Sequence, residues 1–169
     1  MKSKYHEHEG PWKQSGQNKK ILNVLNDLIR INIDRITAYE KASHDDVTSE
    51  PEMREIFYRL STDSRAYVNT LHAEVIKLGG APVTQLTISG KIHLHWLDGK
   101  HSFGEPDASR RLDCCIDAEA GVQKAYQQAL DEQNHLPERI YQLIENQLWG
   151  LERAHEQLVA FHEGHNSMT

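Results

Sequence analysis

The stretch that decides the fold is residues 140–161, which read IYQLIENQLWGLERAHEQLVAF. Its apolar residues recur at intervals of three and four, which is the spacing of one face of an amphipathic α-helix. The pattern predicts a helix over 137–163. Pro137 suits the first turn of a helix, and Gly164 suits its end.

Three further segments show the same helical period. They predict helices over about 18–44, 50–79 and 107–132. The connections between the four helices are short, long and short, and the long one, 81–106, contains an apolar piece that predicts one short helix. Helices of this length extend for about 40 Å. The chain is therefore predicted to be an all-α four-helix bundle with a long crossover between helices 2 and 3.

Length and composition limit the classes of protein to consider. A chain of 169 residues fits one domain, with a flexible leader over 1–17, the bundle over 18–164 and a tail over 165–169. A net charge of −6 without a basic block argues against nucleic-acid binding. No apolar run predicts a signal peptide or a membrane span, and the adjacent Cys114 and Cys115 fit a reducing compartment, so we expect a cytoplasmic protein.

Polar residues on the apolar faces are the candidates for function. Glu119 lies in the third stripe, and Glu152-x-x-His155 lies in the fourth, where a spacing of three puts both side chains on one helix face. The position halfway between 119 and 152 falls in the predicted turn at 134–137, so the two carboxylates should lie at the same level of an antiparallel hairpin. Carboxylates and one imidazole suit iron, manganese or zinc in a bundle core.

The first hairpin offers a poorer half of such a site. Asp63 is the best fourth ligand, but Ala66 follows it at the spacing where a histidine would be needed. Glu40 has suitable chemistry, yet its level differs from that of Asp63 by about nine residues, or about 13 Å of helical rise. We therefore expect a partly degenerate site.

Short segments spread over about residues 20–163 also carry a resemblance. They are LNDLI at 25–29, YEKA at 39–42, LGG at 78–80, HLHWL at 93–97, Ala125-Tyr126 and Ala154-His155. In this order and spacing the chain resembles a bacterial family of ferritin-like four-helix-bundle proteins of unknown function. The resemblance implies the ferritin-like fold and, for the superfamily, a di-iron or di-manganese carboxylate site. Glu119, Glu152 and His155 match its ligands on the third and fourth helices, whereas Asp63 and Ala66 stand where it has Glu and His.

Two hypotheses of function follow. The first is a small cytoplasmic ferritin-like protein, associated with stress, whose partly degenerate site holds iron, manganese or zinc; an enzymatic activity would then be oxygen activation. The second is a metal-free interaction or scaffolding module, in which Glu119 belongs to a buried hydrogen-bonded network that fixes helix register. A homodimer is expected under both, because twofold pairing is the commonest assembly.

Three histidine groups are weaker candidates for chelation. They are His6 with His8, His93 and His95 with His101, and His162 with His165.

Overall fold

The computed structural model describes residues 11–44, 50–84 and 108–167, and these form a bundle of four α-helices. No strand occurs among them, so the prediction of an all-α four-helix bundle is confirmed. The helices are α1 (Pro11–His44), α2 (Pro51–Lys77), α3 (Ala108–Ala129) and α4 (Glu138–Asn166), with a 3₁₀ turn at Glu132–Asn134 between the last two.

Every pair of neighbouring helices in the bundle is antiparallel. The chain pairs α1 with α2 and α3 with α4, and the two hairpins meet along α1–α3 and α2–α4. Consequently α2 and α3 run in the same direction at opposite corners. The end of α2 and the start of α3 lie at opposite ends of the bundle, about 40 Å apart along its axis, which is the length of the 27-residue α2. The chain between them includes residues 85–107, so the short helix expected there lies outside the described residues.

In each helix one line of buried positions recurs at intervals of three and four residues, as in coiled coils. We call these positions the core seam. In α1 the seam is Ile21, Leu25, Leu28, Asn32, Arg35, Tyr39 and Ala42, and in α3 it is Leu112, Cys115, Glu119, Val122, Tyr126 and Ala129. The seam is apolar towards both ends of the bundle and polar in the middle.

The N-terminal turns of α1 differ from the prediction. Residues 11–17 are helical and belong to α1, where the prediction placed part of a leader over 1–17, and residues 1–10 lie outside the description. These turns have no apolar face, which is why periodicity missed them. Polar contacts hold their end instead: Gln17 Nε2 donates to the carbonyl oxygen of Asn134 at 2.7 Å, and Lys20 Nζ donates to that of Gln133.

Helix α2 ends just before Gly79 and Gly80, as predicted. Gly79 has a φ of 75°, which is the left-handed conformation that favours glycine. Its N–H donates to Ile76 O and the N–H of Gly80 donates to Val75 O, both at 2.9 Å, so the last carbonyls of the helix are satisfied. At the other end of the chain, α4 continues to Asn166, into the segment predicted as a tail.

Candidate functional site

A buried ion pair occupies the middle of the bundle. Arg35 of α1 and Glu119 of α3 have side chains that are 1% and 0% exposed. Arg35 donates from Nε to Oε1 of Glu119 at 3.0 Å and from Nη2 to Oε2 at 2.9 Å, which is the bidentate arrangement of a strong charge-assisted pair. Burial, the largest single effect, lowers the pKa of the Arg35 guanidinium, but the charge and hydrogen bond of Glu119 together with the nearby Tyr39 and Tyr126 outweigh it and raise that pKa.

Tyr39 completes the coordination of the carboxylate. Its hydroxyl donates to Oε1 of Glu119, and its ring stacks on Phe57 of α2 with centroids 5.7 Å apart. The Arg35 guanidinium lies 5.7 Å from the centre of the same ring. Burial, followed by the Glu119 charge, raises the pKa of Tyr39, so the phenol stays protonated as a donor. Both oxygens of Glu119 therefore have partners.

A chain of hydrogen bonds continues from the ion pair towards α4. Arg35 Nη1 donates to Asn32 Oδ1 at 3.2 Å, and Asn32 Nδ2 donates to the Tyr126 hydroxyl at 2.7 Å. That hydroxyl donates to Gln147 Oε1 at 2.8 Å. Arg35 Nη1 also donates to Ser64 Oγ at 2.9 Å. All four helices thus contribute to one set, the core polar network, which consists of Asn32, Arg35, Tyr39, Ser64, Glu119, Tyr126 and Gln147.

The predicted ligands on α4 are only half-buried, and the fully buried residues that flank them are Leu151 and Leu158. Glu152 directly follows Leu151, and successive residues on a helix point about 100° apart, so its side chain turns away from the core seam. His155, four residues after Leu151 and three before Leu158, lies on the same side of the helix as both but is not fully buried. Neither side chain makes a hydrogen bond or ion pair within the described part of the chain.

The predicted ligands of the first hairpin are also outside the core. Asp63 is exposed, and the buried residue beside it is Ser64. Glu40 is partly exposed and pairs with Arg65 on the surface between α1 and α2. The structure therefore does not bring Glu119, Glu152, His155, Asp63 and Glu40 together. Across residues 11–44, 50–84 and 108–167, no group of three His, Cys, Asp or Glu side chains has an arrangement that could hold a metal ion.

The remaining candidates can be located only in part. His162 lies 3.2 Å from Asp113, an ion pair when the imidazole is protonated. The groups at 6–8 and 93–101 lie outside the described residues. Both cysteines are free; Cys115 is buried, and burial raises the pKa of its thiol, which makes it unreactive.

Sequence reasoning missed Arg35, which is the principal partner of Glu119. The sequence contained a signal for it. Residues 28, 32, 35, 39 and 42 are spaced alternately by four and three, and the residue at 35 is an arginine. A charged residue at such a position is a candidate for a buried pair. The predicted stripe of α1 instead used Ile29, Ile33 and Ile36, which lie on the same side of the helix but flank the core seam.

The interface of α2 with α4 is more open than the centre of the bundle. A groove of about 590 Å³ is lined there by Tyr67, Thr70, Glu74, Arg139 and Gln147, among others. Glu74 Oε1 accepts from Lys77 at 2.9 Å and from Arg139 at 2.5 Å. Burial, the largest single effect, works against ionisation, but these two hydrogen bonds and the positive charges of Lys77 and Arg139 together outweigh it and lower the pKa of Glu74. The α2–α4 interface therefore has room for a ligand, whereas the buried ion pair of Arg35 and Glu119 leaves no such room.

Chemically, the core polar network can hold helices in register, since its charges cancel and its donors meet acceptors.

None of the described helices is at once long enough and apolar enough to cross a membrane.

A search of curated proteins finds no match to this chain. A family model described as "Domain of unknown function (DUF2383)" matches residues 20–132, about two thirds of the chain, from α1 to just beyond α3. Arg35, Tyr39 and Glu119 lie inside the matched region, whereas Glu152 and His155 lie outside it. The chain therefore belongs to this family of unknown function.

Proposed function

We propose that the protein is a ferritin-like helical bundle that works without a core metal, as a cytoplasmic interaction or scaffolding module in a homodimer. The observation that carries the proposal is the bidentate ion pair of Arg35 with Glu119. It engages Glu119, which is the one carboxylate at the core-seam positions given above for α1 and α3.

The chemistry of arginine supports this proposal. A guanidinium stays charged at all physiological pH values and matches a carboxylate with two parallel hydrogen bonds. A divalent ion that bound Glu119 would have to displace Arg35 and leave its charge buried without a partner. Leaving a buried charge unpaired costs about 3–5 kcal/mol, so metal binding would have to overcome that penalty.

The completeness of the network supports a structural role for it. Asn32, Tyr126 and Gln147 each have a partner on another helix. Shifting one helix by a turn would leave several of these groups buried and unsatisfied. Polar groups of this kind specify helix register in coiled coils, and we propose the same role here.

Elemental analysis of untagged protein purified without chelator tests the proposal. Wild type, Glu152→Ala and His155→Ala should all contain iron, manganese and zinc well below one equivalent, without differences among them. One or two equivalents of metal in wild type, lost in both variants, would overturn the metal-free function. Sedimentation equilibrium of the same wild-type sample should give twice the mass of the chain, and a monomer would refute the homodimer.

The alternative function is a site for iron, manganese or zinc near Glu152 and His155. It is favoured by one observation: this half-buried pair is spaced by one helical turn and makes no polar contact within the described residues. Its further ligands would be Glu119 and Asp63, with Glu40 the weakest. In that case, metal should raise the melting temperature, and Glu119→Ala should abolish the rise.

A further inference from the structure

A second, more polar cavity lies along the α2–α4 interface, separated from the 590 Å³ groove by Tyr67. Its volume is about 220 Å³. A water molecule takes about 30 Å³ of the liquid, so the cavity has room for about seven. A group of five heavy atoms such as phosphate fits, with room for a substituent. The lining residues are Arg59, Asp63, Tyr67, Gly150, Arg153, Ala154 and Gln157.

The charged groups of this cavity favour an anion. Arg59 and Arg153 line it against a single carboxylate, that of Asp63, which gives a local charge of +1 in a chain whose net charge is −6. Arg59 is held in place, since its Nη2 donates to Gln157 Oε1 at 2.7 Å. Arg153 makes no hydrogen bond or ion pair within the described part of the chain, so its five donors are available.

Tyr67 and Gly150 supply the wall of the cavity. A Cβ atom on Gly150 would lie 2.1 Å from the Tyr67 hydroxyl oxygen, so this hydroxyl reaches α4 only because residue 150 is glycine. The hydroxyl has no hydrogen-bond partner among the described residues. Burial raises the pKa of Tyr67, which keeps the phenol protonated and able to donate.

We propose that this cavity binds a phosphate-sized oxyanion, the phosphoryl or carboxylate group of a small ligand, through the guanidinium groups of Arg59 and Arg153 and the hydroxyl of Tyr67. Guanidinium forks match the paired oxygens of both groups. Asp63 opposes the anion and limits its affinity. The proposal is independent of the metal-free role proposed for the core.

Isothermal titration calorimetry in a low-salt buffer without phosphate tests the site. Inorganic phosphate is the first titrant, and acetate and chloride are the comparisons. We expect saturable binding of one phosphate per chain, tighter than that of chloride. The ratio of phosphate to acetate affinity then tells a phosphoryl site from a carboxylate site. Absence of saturable binding of both phosphate and acetate would overturn the proposal.

Variants with opposite expected effects make the test specific. Arg153→Gln and Arg59→Gln should each weaken binding about tenfold, because each removes a charge-assisted contact. Tyr67→Phe should weaken it about threefold, as expected for one neutral hydrogen bond. Asp63→Asn should tighten binding, since it removes the opposing charge.

Matched controls exist on α3, at the corner of the bundle opposite α2. Lys124→Gln and Asp117→Asn change the net charge by the same amounts at exposed positions outside the cavity. Both should leave the affinity unchanged. If Lys124→Gln weakened binding as much as Arg153→Gln, or if Asp117→Asn tightened it as much as Asp63→Asn, the attraction would come from net charge and the proposed site would be wrong. Circular dichroism would verify that each variant is folded.

Discussion

The two places where the hairpins meet differ in how they treat polar groups. Along α1–α3, Arg35, Tyr39 and Glu119 are fully buried and satisfy one another. Along α2–α4, Arg59 and Arg153 are exposed and line a cavity. Arginine side chains are thus buried in a hydrogen-bonded network at the α1–α3 interface and exposed to solvent at the α2–α4 interface.

The difference indicates a division of roles within one bundle. Buried polar groups that satisfy one another restrict the chain to a single arrangement, because any other leaves them unpaired. Polar groups with available donors can bind something else. We therefore assign register to the α1–α3 interface and ligand binding to the α2–α4 interface.

The largest expected effect is loss of one member of the ion pair. Glu119→Leu leaves the Arg35 guanidinium buried without its counter-charge and should lower the free energy of unfolding by about 3–5 kcal/mol. Urea unfolding followed by circular dichroism measures the change. Glu152→Leu, on the neighbouring helix and beside the core seam, is the control and should change stability by less than about 1 kcal/mol.

Loss of one neutral link of the network should have a smaller effect. Tyr126→Phe removes the hydroxyl that joins Asn32 to Gln147 and leaves Gln147 Oε1 without that donor, which should lower stability by about 1–3 kcal/mol. The same urea titration applies. Tyr141→Phe, a half-buried tyrosine outside the network, serves as the control. Equal effects of the two substitutions would argue against a specific role for the Tyr126 hydroxyl.

How much the sequence alone could predict differs between the fold and the site. Helical periodicity and turn residues were enough for the four helices and the connections, and the α3–α4 register followed from the turn: Tyr126 bonds Gln147, and the position halfway between them lies in that turn. Glu119 was also recognisable as a polar residue on an apolar face.

The partner of Glu119 was not predictable in the same way. Arg35 and Glu119 are 84 residues apart, and only the packing of α1 on α3 brings them together. An amphipathic stripe is wider than the core seam, so residues at its edge, such as His155, look equivalent to residues inside it. To predict which charged residues pair between two helices, one must know which positions of both helices lie in the core seam at the same level. A single sequence without its structure does not supply this register.

At the α2–α4 interface, the tight contact of Gly150 with Tyr67 allows a test with a smaller expected effect on stability. Gly150→Ala should lower stability by about 1 kcal/mol, because the clash with the hydroxyl outweighs the better helix propensity of alanine. In a Tyr67→Phe background the clashing oxygen is absent, so Gly150→Ala should be neutral or stabilising there. Thermal unfolding of the four proteins measures the difference. Equal effects in both backgrounds would contradict the proposed contact.

The smallest expected effect is a pH dependence from Glu74. Since hydrogen bonds lower its pKa in the folded state, its contribution to stability is present above its ordinary pKa of 4.5 and is lost as the pH falls through the folded value. Glu74→Gln should therefore reduce the loss of stability between neutral and acid pH. Urea titrations at pH 7 and at successively lower pH values measure this; a variant whose acid dependence equals that of wild type would refute the assignment.

A double-mutant cycle on Arg35 and Glu119 tests the central claim that the buried carboxylate of Glu119 pairs with Arg35 and does not bind a metal. Arg35→Met, Glu119→Leu and the double variant would be unfolded in urea with and without added iron, manganese or zinc. The account predicts a coupling of at least about 2 kcal/mol, with the double variant far more stable than the sum of the single losses implies, and no effect of metal. Additive losses, or a wild-type stability that rises with metal and falls back in Glu119→Leu, would contradict it.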